Sequence, residues 1–224
     1  MTNLESNSSP PPPAGKSNAL RQLLLVFGMV AALLLCGCAS RRARWKRESF
    51  ALDVPSVSQA GSAAHTNVLS LHRVTVSPLF EGQPLVYRTG EYSYEQDPYA
   101  AFFVTPNRML EQCLRTYLRN GHAFADLPDQ GSSLKSSYSM EVSVSQLYGD
   151  FRQTNQLFAV LQLHFILYST ELASHGRVLW QREFSKRLPI AQRTPAALIA
   201  GWNAGLKQIM DEANTDLKRL DGGG

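Results

Sequence analysis

At 224 residues the chain is long enough for one domain of ordinary size with a real core, and its formal charge of +4 at neutral pH is modest. That charge is uneven: "RRARWKRE" alone sets Arg41, Arg42, Arg44, Lys46 and Arg47 against Glu48, and beyond it Asp and Glu slightly outnumber Lys and Arg. Nucleic-acid binding thereby loses its support, because affinity for phosphate backbones needs a clustered basic surface on the domain itself.

Residues 1–18, "MTNLESNSSPPPPAGKSN", are rich in Ser, Asn and Pro and lack apolar periodicity, so they read as disordered. An uncharged run of 16 residues, 23–38, follows behind Lys16 and Arg21. It falls short of the roughly 20 residues a helix needs to cross a bilayer and suits the apolar region of a signal peptide. At its end stands Leu35-Cys36-Gly37-Cys38. The tetrad resembles the bacterial lipobox, in which a leucine and a small residue precede a cysteine that is acylated and becomes the first mature residue. The resemblance implies that Cys38 carries lipid, that Cys36 leaves with the leader, and that no acidic sorting signal stands at Ala39. The implied destination is the inner leaflet of the outer membrane, facing the periplasm. Two other readings compete. A metal or redox pair is poorly served by this spacing, since structural zinc takes four ligands and redox pairs are spaced C-x-x-C. A retained membrane anchor is favoured by the five cations after the run, which would hold that flank in the cytoplasm. Length and lipobox favour the lipoprotein.

The chain divides into a leader over 1–37, a lipidated basic tether over 38–48, a folded domain over 49–220 and a Gly tail over 221–224. In the domain, "SFALDVP" predicts a first strand, followed by a loop through "SVSQAGSAAHTN". "VLSLHRVTV" predicts a second strand with His72, Val74 and Val76 on one face. "SPLFEGQP" reads as a turn and "LVYRTGEYSYE" as the return strand with its continuation. Thr105-Pro106 opens a helix and Asn120-Gly121 closes it. Within it Met109, Cys113 and Tyr117 recur beside Leu110, Leu114 and Leu118, which makes Cys113 a small core residue in preference to a nucleophile.

Three long segments follow, "SYSMEVSVSQLYGDF", "LFAVLQLHFILYST" and "RVLWQREFSKRLPI", with links short enough for antiparallel neighbours. The last alternates Val178, Trp180, Phe184 and Leu188 inward with Arg177, Gln181, Glu183 and Arg187 outward. Thr194-Pro195 opens a second helix on which Leu198, Trp202, Leu206, Ile209, Ala213, Leu217 and Leu220 form one apolar stripe. The fold class is α+β: an antiparallel sheet with two helices packed on one face, in the order strands, helix, strands, helix.

No nucleotide-binding glycine loop, nucleophile elbow, zinc-protease or calcium-loop motif occurs. His65, His72, His122, His164 and His175 are scattered singly, and the carboxylates do not pair at spacings suited to acid–base work. The sequence supports no catalytic residue, no metal ligand and no cofactor. Its compositional oddity is "YRTGEYSYEQDPYAAFF", with six aromatics between residues 87 and 103. Two accounts stand: a tyrosine-rich strand feeding a core, or a protein-binding surface of which Tyr87, Arg88, Tyr92, Tyr94 and Tyr99 are the candidate contacts.

A lipobox, the segment "SPLFEGQPLVYRTGEYSYEQDPYAAFFVTPNRMLEQCLRTYL", a β-meander and a long C-terminal helix together resemble the ABC-type transport auxiliary lipoproteins, the group of paraquat-inducible protein C. Pro78, Phe80, Pro84, Leu85, Val86, Tyr87 and Arg88 match that family's segment before the first helix. Where the family usually has a Trp, this chain has Phe102 and Phe103. The resemblance implies a non-enzymatic lipoprotein on the periplasmic face of the outer membrane. Its implied partners are an MCE-domain protein and the components of an ABC transporter, in phospholipid transport between the inner and outer membranes, with a homo-oligomeric ring as the form of self-association. A lipopolysaccharide-assembly or secretion-accessory lipoprotein shares leader and build, and a periplasmic hydrolase with an unrecognised site is the remaining alternative.

Overall fold

The computed structural model describes residues 47–54, 63, 64, 66–129, 131–171 and 176–220. The lipobox with Cys36 and Cys38, the leader, all of the tether before Arg47 and the Gly tail lie outside these residues, as do His65 and His175.

Seven strands and two helices are described: β1 Glu48–Phe50, β2 Leu69–Val76, β3 Pro84–Arg88, β4 Tyr94–Phe102, α1 Pro106–Gly121, β5 Tyr138–Gln153, β6 Gln156–Ser169, β7 Val178–Pro189 and α2 Pro195–Lys218. The strands-helix-strands-helix order matches the sequence reading. The sheet itself does not: it is mixed, not purely antiparallel. β5, β6 and β7 form the antiparallel meander, but β2 and β3 both run parallel to β5, and β1 runs parallel to β4. Two reversals explain the difference: the chain turns back once in the β3–β4 hairpin and again across α1, so β5 runs in the same direction as β3. β5, with 16 residues, is long enough to take β2 along its first half and β3 along its second.

Further departures are local. The segment read as one return strand is a hairpin, β3–β4, turned over residues 89–93. A register shift between Leu71 and Arg73 bulges β2 at His72, which is exposed while Val74 and Val76 stay buried. Another shift at the start of β7 leaves Val178 51% exposed, although Trp180 and Phe184 pack on Phe165 as expected. α1 ends on Gly121 and it is His122 that takes the left-handed conformation, with φ 50°. Gly121 is needed for space: a Cβ there would stand 2.5 Å from Asn214 Oδ1 on α2.

Both helices cover one face of the sheet. α1 presents Met109, Leu110, Leu114, Tyr117 and Leu118, with Cys113 half-buried beside them and its thiol directed at the Leu52 carbonyl, 3.6 Å away. Burial pushes that thiol's pKa up, so it stays protonated at neutral pH. α2 is capped by Thr194, whose Oγ1 accepts from the Ala197 N–H at 3.3 Å, and its 24 residues span about 36 Å. Trp202 is fully buried, lies 5.5 Å from the Phe102 ring, and donates its indole N–H to the Val160 carbonyl at 3.0 Å. At the sheet edge, the inward-facing Arg182 and Lys186 of β7 pair with Asp216 and Glu212 of α2. Inward charges of this kind discourage an edge strand from pairing with other chains.

Candidate partner-docking site

The aromatic-rich segment folds as the β3–β4 hairpin. Its turn is closed by the Thr89 and Gly90 N–H groups donating to the Ser93 carbonyl at 3.0 and 3.4 Å. Arg88 ties it from one side, with Nε to the Gly90 carbonyl at 3.3 Å and Nη2 to the Glu91 carbonyl at 2.6 Å. Tyr92 stands at the tip, 88% exposed.

Further along, Pro84 pairs with Ala101 but Val86 pairs with Gln96, so β4 carries extra residues and bulges over Asp97-Pro98-Tyr99. Asp97 organises the bulge. Its Oδ1 accepts the Tyr99 and Ala100 N–H groups, both at 2.8 Å, and its Oδ2 accepts the Tyr87 hydroxyl at 2.6 Å. Tyr87 is stacked 4.8 Å from Phe151, and burial first, then the Asp97 carboxylate, push its hydroxyl pKa far above the ordinary tyrosine value. The hydroxyl therefore remains a donor, and the bulge it holds presents Tyr99 to solvent.

The five candidate contacts thus separate. Tyr92 and Tyr99 are exposed. Tyr87 is a support on the helix side of the sheet. Arg88 and Tyr94 lie on the other side, where Tyr94 joins Phe80 and Tyr148 in a three-ring cluster with centroids 5.6–6.1 Å apart. Both accounts of the segment hold, for different residues.

Phe103 was counted among the segment's six aromatics but not among the five candidate contacts. It follows Phe102 directly, so the two rings point to opposite sides. Phe102 is buried against Trp202, and Phe103 is 72% exposed, next to β1, whose Phe50 carbonyl accepts its N–H at 2.7 Å. Adjacent aromatics at a strand end were the signal. Beside Phe103 an open groove of about 870 Å³ runs between β2, the loop after it and the start of α1, lined by Val74, Val76, Gln83, Val104, Thr105 and Arg108.

The acid–base reading gains nothing from the electrostatics. Asp150 is lowered to about 2, chiefly by its bond to Arg152. Asp211 is also lowered: burial acts to raise it, and bonds from Lys207 and Tyr117 outweigh that. Both are ion-pair carboxylates, the opposite of a general acid held protonated. Among the described residues no group of three or more His, Cys, Asp or Glu could hold a metal ion, and no helix is long and apolar enough to cross a membrane.

Residues 50–214 match the family model of the ABC-type transport auxiliary lipoprotein component, and the chain belongs to that family. Among solved structures it resembles a DUF330 protein from Xanthomonas campestris, with a TM-score of 0.67 and 15% identity over 77% of this chain and 95% of that one. An uncharacterised protein resembles it with a TM-score of 0.61 and 14% identity, over 77% and 99% of the two chains. A PelC dodecamer from Paraburkholderia phytofirmans reaches only 0.38 at 12% identity, covering 70% of this chain and 92% of that one, too loose a likeness to bear on assembly. No curated protein matches the sequence.

Proposed function

We propose that the chain is an outer-membrane-anchored accessory lipoprotein of an MCE/ABC-type system moving phospholipid between the two membranes, without enzymatic activity of its own. In this reading acylated Cys38 fixes it to the inner leaflet, residues 38–48 space the domain from that surface, and residues 49–220 dock on an MCE-domain protein. The observation that carries it is the build of the β3–β4 hairpin. Tyr87, Arg88 and Asp97 direct their hydrogen bonds inward, to the turn and the bulge, which holds Tyr92 and Tyr99 outside on a preformed frame with Phe103 beyond. Exposed aromatics on a rigid support suit a protein interface, where Tyr and Phe supply contact area at small entropic cost.

Affinity capture of the acylated full chain from membranes tests the reading. An MCE-domain protein should co-purify with the natural chain and be lost from a Tyr92→Ala/Tyr99→Ala/Phe103→Ala variant that remains folded. Intact mass supplies the anchor test: residues 38–224 plus acyl chains are expected, absent from Cys38→Ala. An unprocessed, unacylated chain, or capture indifferent to the three aromatics, would overturn the corresponding part.

A further inference from the structure

The face of the sheet turned away from the helices carries a feature that the hairpin contacts do not explain. Strand pairing brings Tyr94 of β4, Arg88 of β3, Asp150 of β5, Phe158 of β6 and Pro189 of β7 into one cross-strand row. Asp150 is only 2% exposed, yet it is fully bonded as a carboxylate. Its Oδ1 accepts from Arg152 Nε at 2.8 Å, and its Oδ2 from Arg152 Nη2 at 2.7 Å and Arg187 Nη2 at 3.0 Å. The Arg187 guanidinium lies 3.6 Å from the centre of the Phe158 ring, and that of Arg88 5.7 Å from the centre of Tyr94. Arg88 itself is bonded to the carbonyls of Gly90 and Glu91.

Two guanidiniums, Arg152 and Arg187, are thus held on one carboxylate and a third, Arg88, is held on the hairpin turn in the same row, so the cluster is net positive. Each guanidinium has five N–H donors, so all three keep donors beyond those they use here. The Arg152 and Arg187 side chains are 38% and 51% exposed. Arg187 is fixed by one bond and a ring face, Arg88 by two bonds and a ring face, and Arg152 by two bonds to Asp150. An arginine so fixed is prepared for a further acceptor, because little rotamer freedom remains to be lost.

We propose that this row docks an acidic segment of a partner protein, whose carboxylates take the outward donors of Arg88, Arg152 and Arg187. The proposal rests on the docking reading above and adds the chemistry of the partner. From β3 across β5 and β6 to β7 is three strand spacings, about 14 Å. In an extended segment, side chains on one side repeat at about 6.8 Å, so carboxylates on alternate residues match that span. A membrane surface fits less well. The same face carries Glu141 on β5 and Glu183 on β7, and the hairpin turn beside the row exposes Glu91, all of which an anionic bilayer would repel.

The test uses the full chain in detergent and a fluorescein-labelled peptide of alternating glutamate and threonine, followed by anisotropy at low and high salt. Saturable, salt-sensitive binding is expected, weakened about tenfold or more in Arg88→Gln/Arg187→Gln. A tether variant, Arg41→Gln/Arg42→Gln/Arg44→Gln, should retain it. Arg88→Gln alone, which leaves the Asp150 cluster untouched, keeps the test decisive if the double variant does not fold. The proposal falls if the peptide does not saturate, if the arginine variants bind it as well as the natural chain, or if affinity goes with the tether. It falls equally if the arginine pair controls binding to phosphatidylglycerol vesicles or inorganic phosphate but not to the peptide. Peptide binding without capture of an MCE-domain protein would sink the transport reading and leave the row standing, whereas capture undiminished by Arg88→Gln/Arg187→Gln would do the reverse.

Discussion

On its helix side the sheet meets Leu198, Trp202, Leu206 and Ile209 of α2, all essentially without exposed surface, and the β7 charges that reach that side, Arg182 and Lys186, sit at the sheet edge, paired with α2. On the other side the same strands bury Tyr148, Phe80 and the charged Asp150 beneath a single loop and a set of arginines. One face is closed by volume, the other by specific polar partners. The first should respond to lost methylenes and hardly at all to pH, and the second to lost bonds and to acid.

The largest expected effect lies on the helix side. Trp202→Ala removes a fully buried ring and the donor to the Val160 carbonyl, and should cost about 3–5 kcal/mol in urea unfolding. A loss below about 1 kcal/mol would mean that α2 is not the cover described here.

Acid should sort the two faces. The Asp150 pKa is depressed to about 2 in the folded protein against an ordinary 3.8, so its contribution is fully present above about pH 4 and is lost as pH falls through the folded value. The size is up to about 2 kcal/mol. Asp150→Asn should flatten the acid limb of stability between pH 4 and 2, while Trp202→Ala should lower stability at every pH without changing its slope. An unchanged acid limb in Asp150→Asn would show that the carboxylate does not hold the outer face.

How far these faces could be read from sequence follows the same division. The apolar stripe from Leu198 to Leu217 and the inward set of Trp180, Phe184 and Leu188 were legible, because burial by volume leaves a period of 3.6 or 2 in the residue pattern. Leu220, assigned to the same stripe, lies just past the end of α2 at Lys218 but still packs against the core. The parallel placement of β2 and β3 was not legible, because a short strand's pattern is the same in either direction and the sense depends on two reversals, one in the β3–β4 hairpin and one across α1. The outer face was harder still. Asp150 stands in "QLYGDF", and its partners Arg152 and Arg187 are separated by a strand and a turn. A register shift between Val144 and Gln146 moves Tyr148 and Asp150 to the side opposite the one simple alternation assigns them. In the candidate site Tyr92 and Tyr99 were found exposed, but the supporting role of Tyr87 depends on the Asp97 bulge, which alternation cannot reveal.

That support gives the next effect down. Tyr87→Phe keeps the ring on Phe151 and deletes the donor to Asp97, leaving a carboxylate oxygen without its partner, and should cost about 1–2 kcal/mol. The position of the change matters more than its size. Amide exchange at Tyr99 and Ala100, whose N–H groups bond to the same carboxylate, should quicken in the variant while exchange in β6 stays as it was. Uniform quickening across the sheet would make Tyr87 an ordinary core residue.

The smallest effect on stability is expected at Tyr92 and Phe103, and for that reason it tests the docking reading most cleanly. Their rings are 88% and 72% exposed, so truncation to Ala removes little packed surface and should shift the unfolding free energy by no more than about 0.5 kcal/mol. A docked partner changes the accounting, since a ring that is free in the isolated chain would be buried at an interface, where truncating an aromatic anchor costs about 2 kcal/mol or more of binding. Thermal melts of Tyr92→Ala and Phe103→Ala that coincide with the natural chain, together with lost capture of an MCE-domain protein, are the expected pair of results. If instead either substitution lowers the melting temperature by several degrees, that ring is part of the fold, and its exposure in the isolated chain is no sign of a partner.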